Sequence, residues 1–272
     1  MKRKKGYSVY SSSSFKTQQR GEKVMKDIYS ITLIAVPGIP LIQESDDVGA
    51  IIIRCAKDAD ITFEEKDVLV VAQKIISKAE GAVVDLNSIV PSHRAHELAL
   101  VTGRDPRLCQ VYLDESQEIL GVHGGRVIVR HRLGFVCSSA GVDKGNVALP
   151  AQLLVSLLPR DPDQSARELR DQIFQLAGTR VAVIISDSFG RPDREGSVGI
   201  AIGVAGISPI KARIKPDLFG LVSTRKIAIV DELSAAASVL MDQNNEGRPV
   251  ILIRGVDYDV SEETHIGELL SG

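Results

Sequence analysis

Short apolar runs separated by polar breaks set the rhythm of the chain. Residues 31–35 form an apolar stretch that predicts a strand, closed by the breaker Pro37-Gly38-Ile39-Pro40. Residues 46–58 place Ile51, Ile52 and Cys55 at helical spacing. Residues 67–72 (DVLVVA) are continuously apolar, as in a strand buried on both faces. Residues 92–102 and 105–120 predict two helices, the second with Pro106 at its start, where a missing N–H costs little. Residues 126–129 and 134–138 predict short strands, and 157–163 a Pro-containing connector. Residues 163–177 give the clearest helix, with Ala166, Leu169, Ile173 and Leu176 on one side and Gly178 just past its end. A second buried strand, 181–186, ends at Asp187. An Ala-rich helix over 232–242 and a strand over 249–253 follow, and the polar end, 262–270, is expected at the periphery.

Buried strands alternating with amphipathic helices predict a mixed α/β (α+β) architecture. No repeat or long linker demands two independent domains. The expected layout is one catalytic domain over 28–258, a basic extension over 1–27 and a tail over 259–272. The 272 residues, 44% apolar, suffice for a sizeable core, and no apolar run is long enough to span a membrane.

Charge divides the chain unevenly. Residues 1–27 hold eight lysines and arginines against Glu22 and Asp27, a net of +6. Of the chain's 33 basic and 35 acidic residues, the remaining 25 and 33 leave −8. The acidic body argues against nucleic acid as a partner. The basic, Ser-rich head lacks the apolar core of a secretory signal. It is expected to be a disordered extension or an over-long start with Met25 as the true initiator; a phosphate-seeking arm is the other reading. Cys55, Cys109 and Cys137 have neither metal-ligand nor disulfide-framework spacing, which fits buried thiols in a cytoplasmic protein.

Neither a P-loop nor a G-x-G-x-x-G fingerprint is present, so any nucleotide is held by other means. Four units carry candidate chemistry. Ser186-Asp187-Ser188 follows a buried strand and leads to Arg191 and Arg194; the oxygens suit a hard divalent cation and the arginines suit anionic oxygens. An Asp-capped turn with solvated arginines fits those residue types equally well. Asp143, in Gly141-Val142-Asp143-Lys144-Gly145-Asn146, completes a two-carboxylate site if it meets Asp187, and is otherwise an Asx turn. Lys74 and Lys78 follow the 67–72 strand, where lysine serves as a point charge for phosphate, although solvated surface lysines are commoner. Met241, Asp242, Gln243, Asn244, Asn245, Glu246, Gly247 and Arg248 form either an anion-facing loop or an ordinary connection.

Taken in order, I-P-L-I at 39–42, V-V-A-Q-K-x-x-S-K-A-E-G at 70–81, A-G-V-D-x-x-N at 140–146, D-P-D-x-S-A at 161–166, S-D-S-x-G-R-x-x-R-x-G-x-x-x-x-A-I-G at 186–203, D-E-x-x-A-A-A at 231–237 and P-V-x-x-x-R-G at 249–255 resemble the coenzyme F420-0:γ-glutamyl ligases. The resemblance implies a mixed-sheet fold of the family's own in an intertwined homodimer. It implies GTP, Mg²⁺ or Mn²⁺, and K⁺, with F420-0 and L-glutamate as the other substrates. The activity it implies is GTP-dependent attachment of glutamate to the phospholactate carboxylate through an acyl phosphate, with further γ-linked additions. Ile39, Pro40, Leu41, Ile42, Gln73, Lys74, Lys78 and Asn146 fall on its nucleotide positions. Asp143, Asp187, Ser188 and Gln243 fall on its metal positions, and 241–248 on its phosphate-side loop. Asp143, Asp187 and Lys78 are the implied catalytic residues. Members often carry Met-Gly-[Glu/Gln]-Gly in the loop where this chain has Asp242 and Asn244. That departure leaves a non-catalytic nucleotide-binding regulator as an alternative, beside an amide ligase for another acid.

Overall fold

Five strands make the sheet on which the rest is built. β1 (Thr32–Ala35), β12 (Val250–Arg254), β2 (Val68–Ala72), β8 (Ala182–Gly190) and β9 (Ser197–Ala205) lie side by side in that order. β2 and β8 run parallel and every other pairing is antiparallel, so the sheet is mixed. The computed structural model describes residues 29–147, 153–190, 194–242 and 244–270. The basic head, Arg191 and Gln243 lie outside the described residues. The chain divides into a unit Met1–Ser30 and a unit Ile31–Gly272, and the latter carries the elements named here.

Val68–Val71, Ala182–Ile185 and Val250–Ile253 are buried, as their unbroken apolar runs require of strands covered on both faces. Helices α1 (Val48–Asp58), α5 (Pro162–Ala177) and α6 (Ile229–Met241) supply the covering apolar faces. Asp47 and Asp161 cap α1 and α5 through their carboxylates, and Gly178 closes α5 in the left-handed conformation at φ 71°.

β9 serves two helices at once. An added Cβ on Gly199 would lie 2.4 Å from the Ser234 carbonyl oxygen of α6, and one on Gly203 would lie 2.4 Å from the Pro162 backbone of α5. Residues four apart share a face in a regular strand. Here the register slips, because Ile185 opposes Gly203 while Ser186 opposes Ala201. The extra residue, Ile202, turns the strand so that each glycine seats a different helix. Asp231 of α6 accepts from Ala201 N at 3.1 Å, and Asp163 of α5 accepts from Val204 N at 2.8 Å. Burial raises the pKa of both carboxyls.

A second, smaller core joins α3 (His93–Thr102) and α4 (Pro106–Asp114) to the sheet β4 (Ser116–His123), β5 (Arg126–His131) and β6 (Val136–Ser138). Phe189 of β8 packs against both cores and meets Phe135 edge-on, with centroids 6.2 Å apart. The pair β3 (Val83–Asp85) and β7 (Leu154–Ser156) runs nearby. The hairpin of β10 (Ile210–Pro216) and β11 (Val222–Ala228) stands out with Leu218 and Phe219 at its tip, 100% and 95% exposed.

Three expectations are corrected. The helix expected over 105–120 stops at Asp114, where Ser116 Oγ donates to the Tyr112 carbonyl, and 116–123 become β4 because β5 offers a full ladder of partners. The strand expected to end at 186 continues to Gly190, because β9 pairs with it to Ser197. The polar end is not peripheral. Ile266 enters the main core and Glu262 forks onto Arg170 at 2.6 and 2.8 Å. All three cysteines are free and buried. No helix among the described residues is long and apolar enough to cross a membrane.

Candidate active site

β2 stops at Ala72, opposite Ser186, while β8 runs on. Asp187 is therefore the first residue of β8 past the C-terminal edge of its parallel neighbour, the place where such sheets open. The chain leaving β2 turns at once into α2 (Gln73–Ala79). Gln73 is buried, accepts from Ser77 Oγ at 2.7 Å and hydrogen-bonds Asp187. Lys74 and Lys78 stand one turn apart on the same helix.

Asp143 arrives from a different element. Its backbone exchanges hydrogen bonds of 3.0 and 2.9 Å with Ser156 at the end of β7. Its Oδ1 accepts from Gly145 N at 2.7 Å, so the Asx turn forms, and its Oδ2 lies 2.6 Å from Lys74 Nζ. The Asx turn and the approach to Lys74 occur together. Lys74 Nζ also donates to the Gly145 carbonyl at 2.7 Å, and Lys78 Nζ to that of Asn146 at 2.7 Å. Asn146, at φ 58°, donates from Nδ2 to the Asn244 carbonyl at 2.6 Å, tying the 143–146 turn to the 241–248 loop. Asn244 N in turn donates to Glu246 Oε2 at 3.0 Å.

These contacts shape the electrostatics. Burial pushes the Asp187 carboxyl up to about 7. The Ser188 N–H pulls it down, the Asp143 charge raises it, and Lys74 and Gln73 lower it. Burial, with the Lys74 charge second, lowers the Lys78 ammonium. Cys137 of β6 is pushed up to about 12, mainly by burial and also by the Asp187 charge. Half-exposed Asp143 thus comes within electrostatic reach of Asp187, which resists ionising, and Lys74 supplies a cation that acts on both.

That arrangement fits a hard divalent ion. Among the described residues no group of three or more His, Cys, Asp or Glu forms a ready cage. A pair of carboxylates is what Mg²⁺ or Mn²⁺ uses when substrate phosphates and water complete its shell. Ser188 follows Asp187 in the strand.

The other expected residues are distributed less tightly. Ile42 is buried in the main core, Ile39 packs on it and Leu41 is exposed. Their segment is pinned to the end of α2 by Ser45 N donating to the Ala79 carbonyl at 2.9 Å. Met241 packs on the core, and Arg248 has a buried Nε without a partner. Asp242 sits at φ 56°, ψ −166°, a region natural only to glycine. Sequence reasoning placed Gly145 in the Asp143 unit but missed that its carbonyl holds Lys74. It also missed Arg126, which with Arg194 lines a cleft of about 470 Å³ at the far end of β8. No motif announced Arg126, because it comes from a strand of the smaller core.

Residues 38–255 match the family described as F420-0:Gamma-glutamyl ligase. The chain belongs to this family. It is 44% identical over 230 residues to the coenzyme F420:L-glutamate ligase of Methanothermobacter thermautotrophicus, covering 84% of this chain and 90% of the relative. Its likeness to the enzyme of the same name from Methanocaldococcus jannaschii is 46% over 201 residues, 73% of this chain and 79% of the relative. With that of Methanopyrus kandleri it is 42% over 229 residues, 82% and 87%. As a member of the F420-0:γ-glutamyl ligase family the chain is a ligase, and Asp143, Asp187, Lys74 and Lys78 all fall inside the matched span.

Proposed function

We propose that the chain joins L-glutamate to the phospholactate carboxylate of F420-0 at the expense of GTP, releasing GDP and phosphate. The meeting of Asp143 and Asp187 beside Lys74 carries this reading. Mg²⁺ or Mn²⁺ held by Asp143, Asp187, Ser188 and Gln243 would neutralise charge on the β- and γ-phosphate oxygens, with K⁺ assisting. Lys78 and Asn146 face the nucleotide, with the 39–42 segment beside them.

In the first step the acceptor carboxylate oxygen attacks the γ-phosphorus, and the bond to the β-phosphate oxygen breaks with its electron pair. The amine of L-glutamate then attacks the acyl phosphate carbon and phosphate departs, leaving an amide. Further glutamates add through the side-chain carboxylate. Lys74 and Lys78 balance the charge that accumulates on the phosphates, and their fixed hydrogen bonds mean little reorganisation at that moment.

The exposed tip of the β10–β11 hairpin supports self-association as a homodimer. The altered loop favours a second reading, a nucleotide-binding regulator without turnover, since Asp242 adds negative charge beside the phosphate loop. Mass spectrometry of products from protein, F420-0, GTP, Mg²⁺ and L-glutamate tests both. A product heavier by one glutamate residue supports the ligase, and GTP binding with no product supports the regulator.

A further inference from the structure

We infer that the cleft at the far end of β8 is a subsite for an anionic group of the carboxylic-acid acceptor, clamped by Arg126 and Arg194. This rests on the ligase reading above. The cleft holds about 470 Å³ and is bordered by His123, Arg126, Ser138, Gly190, Arg194 and Glu195, among others. Gly190 lies three residues beyond Asp187 in the same strand, about 10 Å along it. Ser138 follows Cys137, whose thiol feels the Asp187 charge. The cleft therefore lies about 10 Å along β8 from the carboxylate site, with strand alternation turning Gly190 to the face opposite Asp187.

Two further observations point to an anion. Among the described residues no ion pair or hydrogen bond engages the side chain of Arg126 or of Arg194. An added Cβ at Gly190 would lie 3.3 Å from Arg126 Nη1, so the bare strand lets the guanidinium come up against the backbone. Among the described residues that border the cleft, Glu195 is the single acid, against Arg126 and Arg194.

Direction of attack supplies the rest. Displacement at phosphorus puts nucleophile and leaving group on opposite sides. Lys78, Asn146 and the 241–248 loop belong to the nucleotide, and none of them borders the cleft. The acid enters from the Gly190 end, and the arginine pair receives its second negative group, a phosphodiester or carboxylate.

The test uses the full chain with Arg126→Gln, Arg194→Gln and the double variant; both residues are exposed, so the fold should survive the change. Steady-state assays vary F420-0, GTP and L-glutamate in turn. The expected result is a KM for F420-0 raised about 10- to 100-fold in the double variant, with the other two KM values within twofold. Arg126→Lys, which keeps the charge and loses the fork, should fall between. A change confined to the KM of GTP or of L-glutamate, or no change, overturns the subsite. Equilibrium binding of F420-0, followed by its own fluorescence without GTP, separates the two readings. Arginine-dependent binding in a wild type that forms no product retires ligation and keeps the cleft. Wild-type ligation with equal F420-0 affinity in the double variant does the reverse.

Discussion

Lys74 Nζ sits 2.6 Å from Asp143 Oδ2 while its charge also reaches Asp187, so a single ammonium counters two acids brought from separate elements. In the ligase reading that ammonium holds the place of positive charge until metal and nucleotide arrive. Asp187→Ala should abolish GDP release that depends on both F420-0 and glutamate, by at least about 1000-fold, as expected when a catalytic metal ligand is lost. Full turnover in this variant, measured by coupled GDP detection, would remove Asp187 from the chemistry.

The raised Asp187 carboxyl has a thermodynamic signature. Its pKa stands near 7 in the fold against 3.8 in the unfolded chain. Between those values the native state holds more protons than the unfolded one, so stability falls as pH rises through the window. The penalty is at most about 1.4 kcal/mol per pH unit. Asp163 and Asp231 are shifted the same way and contribute to the wild-type slope. Asp187→Asn should flatten that slope. Thermal melts without metal at pH 5 and pH 8 should show the wild type losing several degrees more than the variant. Equal losses would contradict the assignment.

Lys78 reaches a backbone carbonyl of the 143–146 turn from a partly desolvated position. Lys78→Met should raise the KM for GTP about 10- to 100-fold, the worth of a charge-assisted contact, and leave that for L-glutamate within twofold. Titrations with GTP and with glutamate at saturating F420-0 read the two values separately.

Gly203 has no room for a side chain, its nearest neighbours being the Pro162 carbonyl carbon and oxygen, both at 2.4 Å. Gly203→Ala should destabilise by about 1–3 kcal/mol, since backbone rather than a flexible side chain must yield. Urea denaturation should show a lower midpoint with an unchanged slope.

Phe219 and Leu218 stand free at the hairpin tip. Replacing both with Asp should shift the protein from dimer to monomer on light scattering at micromolar concentration without lowering its helix content. A wild-type monomer would retire the hairpin as a self-association arm.

Much of this was legible from residue pattern. The buried strands β2, β8 and β12 declared themselves as unbroken apolar runs, and α5 by its stripe and its closing glycine. The sequence leaves open whether Asp143 meets Asp187, and the fold brings the two within electrostatic reach. What stayed hidden depended on partners distant in sequence. Residues 108–119 keep apolar positions at helical spacing beyond Asp114, and only the presence of β5 makes 116–123 extended. The β10–β11 hairpin was missed although β10 alternates Ile210, Ala212 and Ile214 with Lys211, Arg213 and Lys215; its partner β11, with Ser223 to Lys226 polar in a row, carries no such pattern. The 161–166 and 231–237 motifs, which the resemblance leaves without a role, are architecture. Asp163 and Asp231 hold β9 through its backbone amides.

The slipped register at Ile202 makes the length of β9 as binding as its composition. Gly199 and Gly203 lie three ladder steps apart, so inserting one residue between them would make the count even and bring both glycines beneath the same helix. The other helix would then meet side chains where it needs bare backbone. Point changes at many surface positions leave such an arrangement standing, but a single-codon insertion here would unseat a wall of the molecule and drag Asp187, hydrogen-bonded to the same strand, out of line with Asp143.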